Sequence, residues 1–551
     1  MKQQSGLLDR IENKELLEEV ALEARVGKIA EMLGESEEQV VEALARGVGI
    51  GVKFEFEILP NSAELFPLKL IHKYKCLPIL PAEDARIHVV SSWIPNERMT
   101  QWVYSITGKE VVWYLGLPSD ITDAMIHSFG VGSGSLEASA SEFEEIEEAV
   151  EENADAAIIR FVNEIIVRAL DDHATDIHFE PQKTALQIRY RIDGDLIPVK
   201  LPENLVKFQS AIISRLKIMA KLNISEKRRP QDGRIRFVSG AKELDIRLST
   251  LPAMYGESVS LRLLMQGSQP ITLSEIGLTA AEEKRIEGAI QRPHGIILVT
   301  GPTGSGKSTT LGACIRKIRT PEKRIITVED PVEYEIEGIN QSQVNQEIGF
   351  NFASALRHIL RQDPDILMIG EIRDRETADI AIRASMTGHL VLSSLHTNDA
   401  AGALTRLIDM GIEPFLIAST VEMILAQRLV RRLCTKCAKP AKIGKESLRE
   451  SLRTLGIDAI EAEHAPLLKQ AHGCDHCRNL GYRGRIGIFE ILTMSEAIHK
   501  RIIQRASAKE IAEQAYHEGM KKIQWSGWEK VKQGITTLES ILPFAQLETP
   551  E

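Results

Sequence analysis

Residues Val299–Thr310 read VTGPTGSGKSTT. Within them, Gly301-x-x-x-x-Gly306-Lys307-Ser308 fills every fixed position of the phosphate-loop pattern G-x-x-x-x-G-K-[ST]. The apolar run Ile296-Ile297-Leu298-Val299 just before it reads as a buried strand, and Ser308 to Ile315 reads as the start of a helix. Phosphate binding needs this order. Glycines let the backbone turn tightly, and several N–H groups then converge at the positive end of a helix. Gly301, Pro302, Thr303, Gly304, Ser305, Gly306, Lys307, Ser308 and Thr309 are therefore the candidate cradle for a nucleoside triphosphate, with ATP the expected cofactor. Lys307 can reach the β- and γ-phosphates as a point charge, and Ser308 can offer its hydroxyl to Mg²⁺. A dinucleotide fingerprint G-x-G-x-x-G fits poorly, because Thr309 stands where the third glycine would be.

Downstream, Ile325-Ile326-Thr327-Val328 reads as a second strand, ending in Glu329-Asp330-Pro331-Val332-Glu333. Ile366-Leu367-Met368-Ile369 reads as a third, ending in Gly370-Glu371-Ile372-Arg373-Asp374, and Leu390–Leu395 as a fourth, ending in His396-Thr397-Asn398. Acids at the C-terminal ends of parallel strands beside a phosphate loop are placed for chemistry. One must organise Mg²⁺ or its waters, and another must orient or deprotonate the attacking water. Glu329, Glu333 and Glu371 are the candidates, and His396 is placed to sense the γ-phosphate.

A chain of 551 residues exceeds one core. Residues 1–128 read as a mixed α/β domain, with Leu22, Val26, Ile29 and Leu33 at helical spacing and Ser36 opening a further helix. Residues 129–155 change composition, from Gly/Ser-rich to acidic, and read as a linker. Residues 156–268 read as a helix, Ile158 to Leu170, followed by strands that alternate apolar residues with Arg. Strands and helices alternate through 269–430, so a parallel nucleotide-binding sheet is expected there. Residues 431–480 carry paired cysteines, and 481–551 are expected to be helical.

Apolar content of 43% and charged content of 26% are those of an ordinary globular protein. A net charge of −11 argues against general nucleic-acid binding. No apolar run approaches the length of a membrane span, and the first residues lack the apolar region of a signal peptide. A cytoplasmic protein is expected. Cys434-x-x-Cys437 and Cys474-x-x-Cys477 form C-x-x-C…C-x-x-C, a donor set suited to tetrahedral Zn²⁺. Four thiolates close the site, so its expected role is structural. Cys76 and Cys314 read as ordinary buried cysteines.

Beyond the loop, longer segments match one family. ITVEDPVEYEIEGINQSQVNQEIGF (326–350), RQDPDILMIGEIRDRETADIAIRASMTGHLVLSSLHTNDA (361–400), ATDIHFEP (174–181), RYRIDGDL (189–196), RRPQDGRI (228–235) and RLSTLPAMYGESVSLRLL (247–264) occur in order and at fitting intervals. In these the chain resembles the ATPases of type II secretion and type IV pilus assembly, from about residue 150 to 545. The resemblance implies an α/β fold with a RecA-like ATPase core. A PAS-like α+β domain precedes the core, an N-terminal domain docks on a partner, and a zinc-binding insert lies within a helical C-terminal region. It also implies a homohexamer working with an inner-membrane platform and cytoplasmic adaptor proteins, and no specific nucleic acid. The ring would lie at the cytoplasmic face of the inner membrane, held there only through its partners. By resemblance Lys307 and Ser308 bind phosphate and Mg²⁺, Glu371 is the Walker B acid, and His396 the histidine-box residue. Glu333 is the catalytic glutamate with Glu329 its rival, and Arg234, Arg247 and Arg262 reach a nucleotide on a neighbouring subunit. The stretches 405–434 and 534–542 look closer to the secretion branch than to the pilus branch. A DNA-uptake or conjugation motor is the reading from another class, and the acidic balance disfavours it.

Overall fold

The computed structural model describes Val20 and residues 22–60, 62–80, 86–131, 150–202, 205–239, 242–265 and 271–548. Most of the expected linker, 132–149, lies outside the described residues. The chain divides into two compact units, one ending at Met265 and the other comprising the remainder.

The first unit opens with helices Arg25–Leu33 and Glu37–Val48. Ser36 caps the second through a capping box with Gln39, and Val26, Ile29, Val40, Val41 and Leu44 form the buried faces. These helices adjoin a four-stranded sheet of order β1-β4-β3-β2, built from β1 (Gly51–Val52), β2 (Cys76–Ile79), β3 (Ile87–Ser91) and β4 (Val111–Leu115). Cys76 is wholly buried there, and burial pushes its thiol up to about 12.

A helix, Val150–Asp171, leads into a six-stranded sheet of order β7-β6-β5-β10-β9-β8. Its strands are β5 (Asp176–Pro181), β6 (Leu186–Ile192), β7 (Asp195–Pro198), β8 (Gln231–Ser239), β9 (Lys242–Ala253) and β10 (Gly256–Met265). The alternation read from sequence is the burial pattern of β6. Leu186, Ile188, Tyr190 and Ile192 are buried, while Gln187, Arg189 and Arg191 are only half-buried. Phe161, Val162, Ile165 and Ile166 of the long helix are fully buried, and Tyr190 Oη donates to the Ile165 carbonyl.

The second unit is organised by a seven-stranded sheet of order β13-β12-β14-β15-β11-β16-β19. Its members are β11 (Gly295–Thr300), β12 (Ile325–Glu329), β13 (Asn340–Gln343), β14 (Ile366–Ile369), β15 (Leu390–Leu395), β16 (Val421–Leu433) and β19 (Tyr482–Thr493). All neighbours pair in parallel except β16 with β19. β11 is buried along its whole length because helices cover both faces. Ile296 and Leu298 enter the core on one face, and Ile297 and Val299 enter the core on the other.

The C-terminal part differs from expectation. The region from 481 was expected to be helical, yet it begins with β19, which pairs antiparallel with β16 from Met423↔Thr493 to Leu433↔Tyr482. Ile486, Ile488, Phe489, Ile491 and Leu492 supply the buried strand faces, and Gly481 and Gly484 bound the start. Helices follow, and Trp528 of Ile523–Lys532 packs with Val430, Ile486 and Ile488. The β16–β19 hairpin is interrupted by an excursion holding a short pair, β17 (Lys439–Pro440) with β18 (Lys469–Gln470), and the helix Lys445–Thr454. No described helix is long and apolar enough to cross a membrane.

Candidate functional site: the phosphate loop, the arginine row and the cysteine cluster

β11 delivers the chain into Gly301–Gly306, and the helix Lys307–Ile318 departs with Gly306 as its cap at φ 86°. Gly301 sits at φ 150°, and a Cβ there would lie 2.5 Å from the Gln427 carbonyl oxygen, so no larger residue fits. Ser305 is buried, whereas Pro302, Thr303, Gly304 and Ser308 are exposed, leaving the loop open to a ligand. Lys307 Nζ folds back over the loop, donating to the carbonyls of Gly301 at 2.8 Å and Pro302 at 3.1 Å. Burial pushes the Lys307 pKa down, and Arg428 adds to that; Glu371 and Glu333 oppose it. Those couplings bring the two expected acids into the field of the loop lysine. The first amides of a helix have no intrahelical acceptor, so the loop and helix start suit a polyphosphate.

The acids differ in setting. Glu329, at the end of β12, is buried; Thr327 Oγ1 donates to its Oε1 at 2.7 Å and Gln341 Nε2 at 3.0 Å. Burial raises its pKa against the pull of those two donors. Glu333 is exposed on the loop beyond. That loop is tied to β13 by Gln341, which donates to the Tyr334 carbonyl and accepts from the Ile336 amide. Glu371 follows β14, contacts Arg373, and has Oε2 at 2.9 Å from His396 Nε2. Burial would raise the Glu371 pKa, but Arg373 and His396 outweigh it, and the carboxyl is held below its ordinary value. Arg373 also lies 3.3 Å from Asp330, joining the ends of β12 and β14. Thr309 is half-buried on the loop helix, and Thr310 behind it donates to Gln427 Oε1 at 2.7 Å. Cys314, on the same helix, is fully buried, and burial pushes its thiol up to about 12.

Gln341, Arg373, Gln427 and Arg428 were not singled out from sequence. The dipeptide Gln427-Arg428 sits in a run whose polar members interrupt an apolar strand, and that interruption was the available signal.

In the first unit, register brings the three expected arginines into one row. Arg234 on β8 pairs with Arg247 on β9, which pairs with Arg262 on β10. The row continues to Asp176 on β5, which accepts from Arg262 Nε at 3.0 Å. The arginines line an open cavity of about 510 Å³ with Asp232, Ser249 and Ser260. Such a cluster suits a phosphate or another anion.

The four cysteines converge. Their Sγ atoms all lie within 4.8 Å of one another, with Cys434–Cys474 at 3.8 Å, Cys437–Cys477 at 3.6 Å and Cys474–Cys477 at 3.8 Å. Backbone amides of Gly473 and Gly481 donate to sulfur, at 3.3 Å to Cys437 and 3.2 Å to Cys477. The arrangement can hold a metal ion. His476 stays outside it, against Arg483.

A family described as type II/IV secretion system protein matches residues 151–543. Over 417 residues the chain is 46% identical to the type II secretion system protein E of Pseudomonas aeruginosa, covering 76% of this chain and 81% of that protein. Over 500 residues it is 40% identical to the type IV pilus assembly ATPase PilB of Myxococcus xanthus, covering 89% and 87%. Among solved structures, the ATPase DotB of Legionella pneumophila shares the RecA-like fold, with a TM-score of 0.51 and 21% identity over 70% of this chain and 95% of that one. A phosphate loop, strand-end acids and these relatives agree, and the chain belongs to the type II/IV secretion system protein family as one of its ATPases.

Proposed function

We propose that the chain is the motor of a type II secretion system, forming a ring of six at the cytoplasmic face of the inner membrane. ATP hydrolysis there drives addition of pseudopilin subunits through a membrane platform and its adaptor proteins. The observation that carries the reading is that Lys307, Glu333 and Glu371 all follow the C-terminal ends of strands in one parallel sheet, β11, β12 and β14, in a chain 46% identical to a type II secretion protein E. Pilus assembly is the second reading, supported by 40% identity to PilB.

Bound ATP with Mg²⁺ supplies the γ-phosphoryl group and the cation that neutralises it. Lys307 would exchange its two carbonyl acceptors for phosphate oxygens. Mg²⁺ would be held through the Ser308 hydroxyl oxygen, and Glu371, whose pKa Arg373 and His396 hold down, would orient its waters. Glu333, exposed at the mouth, accepts the proton of the attacking water; Glu329 is held away from that task by Thr327 and Gln341. Arg234, Arg247 and Arg262 serve the nucleotide of a neighbouring subunit. The cysteine cluster takes zinc, since Zn–S bonds of 2.3 Å in a tetrahedron put sulfurs about 3.8 Å apart.

The reading is tested with a chromosomal Lys307→Ala strain beside its parent. Proteins in the medium and pilins sheared from the cells are quantified in one proteomic run. Loss of a set of exoproteins from the medium is expected. Loss of surface pilin with exoproteins intact would assign the pilus branch, and parental levels of both would overturn both readings.

A further inference from the structure

Behind the phosphate loop, strand β16 carries two adjacent buried polar side chains, Gln427 and Arg428. Neighbours on a strand point to opposite faces. Gln427 takes the phosphate-loop side. Its Oε1 accepts from Thr310 Oγ1 at 2.7 Å, and its Nε2 would lie 2.9 Å from a Cβ on Gly306. Its carbonyl oxygen is the atom that forbids a side chain at Gly301. Arg428 turns the other way. Its Nη2 donates to the Asn398 carbonyl at 2.9 Å and to Asn398 Oδ1 at 3.3 Å, while Nη1 donates to the Gln427 carbonyl at 3.0 Å. Asn398 lies two residues beyond His396.

The antiparallel partner strand completes the brace. Glu490 on β19, in register with Ala426, accepts from the Ala400 amide at 3.0 Å and from Tyr516 Oη at 3.3 Å. Asp399 and Glu490 supply the negative charge that Arg428 faces, and Lys307 lies within its field. Burying a guanidinium is costly, and an apolar residue would pack the strand as well. The site keeps an arginine whose two terminal nitrogens donate to Asn398, on the segment after β15, and to the carbonyl beside Gly301.

We infer that Arg428 is a positioning residue of the ATPase: with Gln427 and Glu490 it fixes the His396–Asp399 segment against the phosphate loop. The inference rests on the proposed role of His396 and adds how that residue is held. Arg428 touches no reacting group and acts through His396 and Glu371.

The test uses the full-length chain, measuring ATP turnover, affinity for a non-hydrolysable ATP analogue, and hydrogen exchange over residues 396–404. In Arg428→Gln, kcat falls about 10²-fold while analogue affinity is kept, since misplacing a group by about 1 Å has that effect. Arg428→Lys recovers part of the loss, because an ammonium reaches one acceptor but cannot bridge two. The double variant His396→Ala/Arg428→Gln is no slower than His396→Ala alone, as expected for residues acting as a unit. Amides of 396–404 exchange faster in Arg428→Lys than in the parent.

Parental kcat in Arg428→Gln overturns the inference. So does a loss that adds fully to that of His396→Ala, or one that includes analogue binding. If Arg428→Gln does not fold, Arg428→Lys decides, and parental turnover with parental exchange overturns it. Parental kcat in His396→Ala overturns the role of His396 instead. Exchange over 396–404 then still reports whether Arg428 holds the segment.

Discussion

Glu371 and His396 meet beyond the C-terminal ends of neighbouring strands, Oε2 to Nε2 at 2.9 Å, although 24 residues of chain separate them. The contact ties the end of β14 to the end of β15. It also helps to hold the Glu371 pKa below its ordinary 4.5. A carboxylate whose folded pKa is depressed stabilises the fold fully above its unfolded value, and the contribution is lost as pH falls through the folded value. His396→Ala removes one of the groups that depress this pKa. The variant is expected to lose stability at higher pH than the parent during acidification below about 4.5. Thermal melts taken from neutral pH down to about 3 check this; coincident curves would refute it.

Glu329 behaves in the opposite sense. Its pKa is raised by burial, so the folded state resists its ionisation and the charged form destabilises the fold above the folded pKa. Glu329→Gln keeps an oxygen for Thr327 and Gln341 and removes the charge. It should melt higher than the parent at neutral pH, with the advantage vanishing as pH falls through the raised pKa toward 4.5 and below. A lower melting temperature at neutral pH would contradict the account.

Glu333→Gln should still bind ATP and turn over about 10²–10⁴-fold more slowly, the usual contribution of a general base. Glu329→Gln should lose much less. Parental turnover in Glu333→Gln would transfer the role to Glu329.

The arginine row makes a prediction about neighbours. Arg247 lies between Arg234 and Arg262, and Asp176 neutralises the end of the row at Arg262. If the row serves a nucleotide on another subunit, Arg247→Ala chains and Lys307→Ala chains are each inactive alone. Mixed before assembly, they recover part of the parental ATPase, since some interfaces then pair an intact loop with an intact row. No recovery at any mixing ratio would place the row's action within one chain.

Metal removal should be felt in the C-terminal half. Purified chain is expected to hold about one zinc per polypeptide. A strong chelator, or Cys434→Ser, should lower the melting temperature by about 5–10 °C, as loss of a few kcal/mol would. Metal analysis and calorimetry read both quantities, and an unchanged melt in metal-free protein refutes the structural role.

The sequence made the phosphate-loop pattern plain because it is local: Gly301 through Ser308 are consecutive, and the types at Gly301, Gly306, Lys307 and Ser308 are demanded by backbone geometry or phosphate charge. The cap at Ser36 and the alternation along Leu186–Ile192 were legible for the same reason. What escaped was assembled at long range. Gln427 and Thr310 meet across more than a hundred residues, and the row Arg234–Arg247–Arg262 exists only because two hairpins share a register. β19 escaped for another reason. Ile486–Leu492 is strand-like by composition, yet it lies among helical segments, and its partner β16 ends before the whole cysteine excursion. Gln341 gave no signal, because a lone glutamine in a polar strand is unremarkable until the end of β12 and the loop beyond it are found to meet on it.

The excursion between β16 and β19 departs at Cys434 and returns at Cys477. Its base is pinched where the four sulfurs converge, beside the last strand pair, Leu433 with Tyr482. Closing the chain outside the pinch costs only slowly more as it lengthens, about 0.6 kcal/mol per doubling. Yet the segment beyond the pinch is anchored, because its Leu448, Leu452 and Leu468 share a core with Val430 of β16 and with Ile486 and Ile488 of β19. Insertions are therefore tolerated only where they spare that shared core, so the excursion and the hairpin it interrupts are bound to change together.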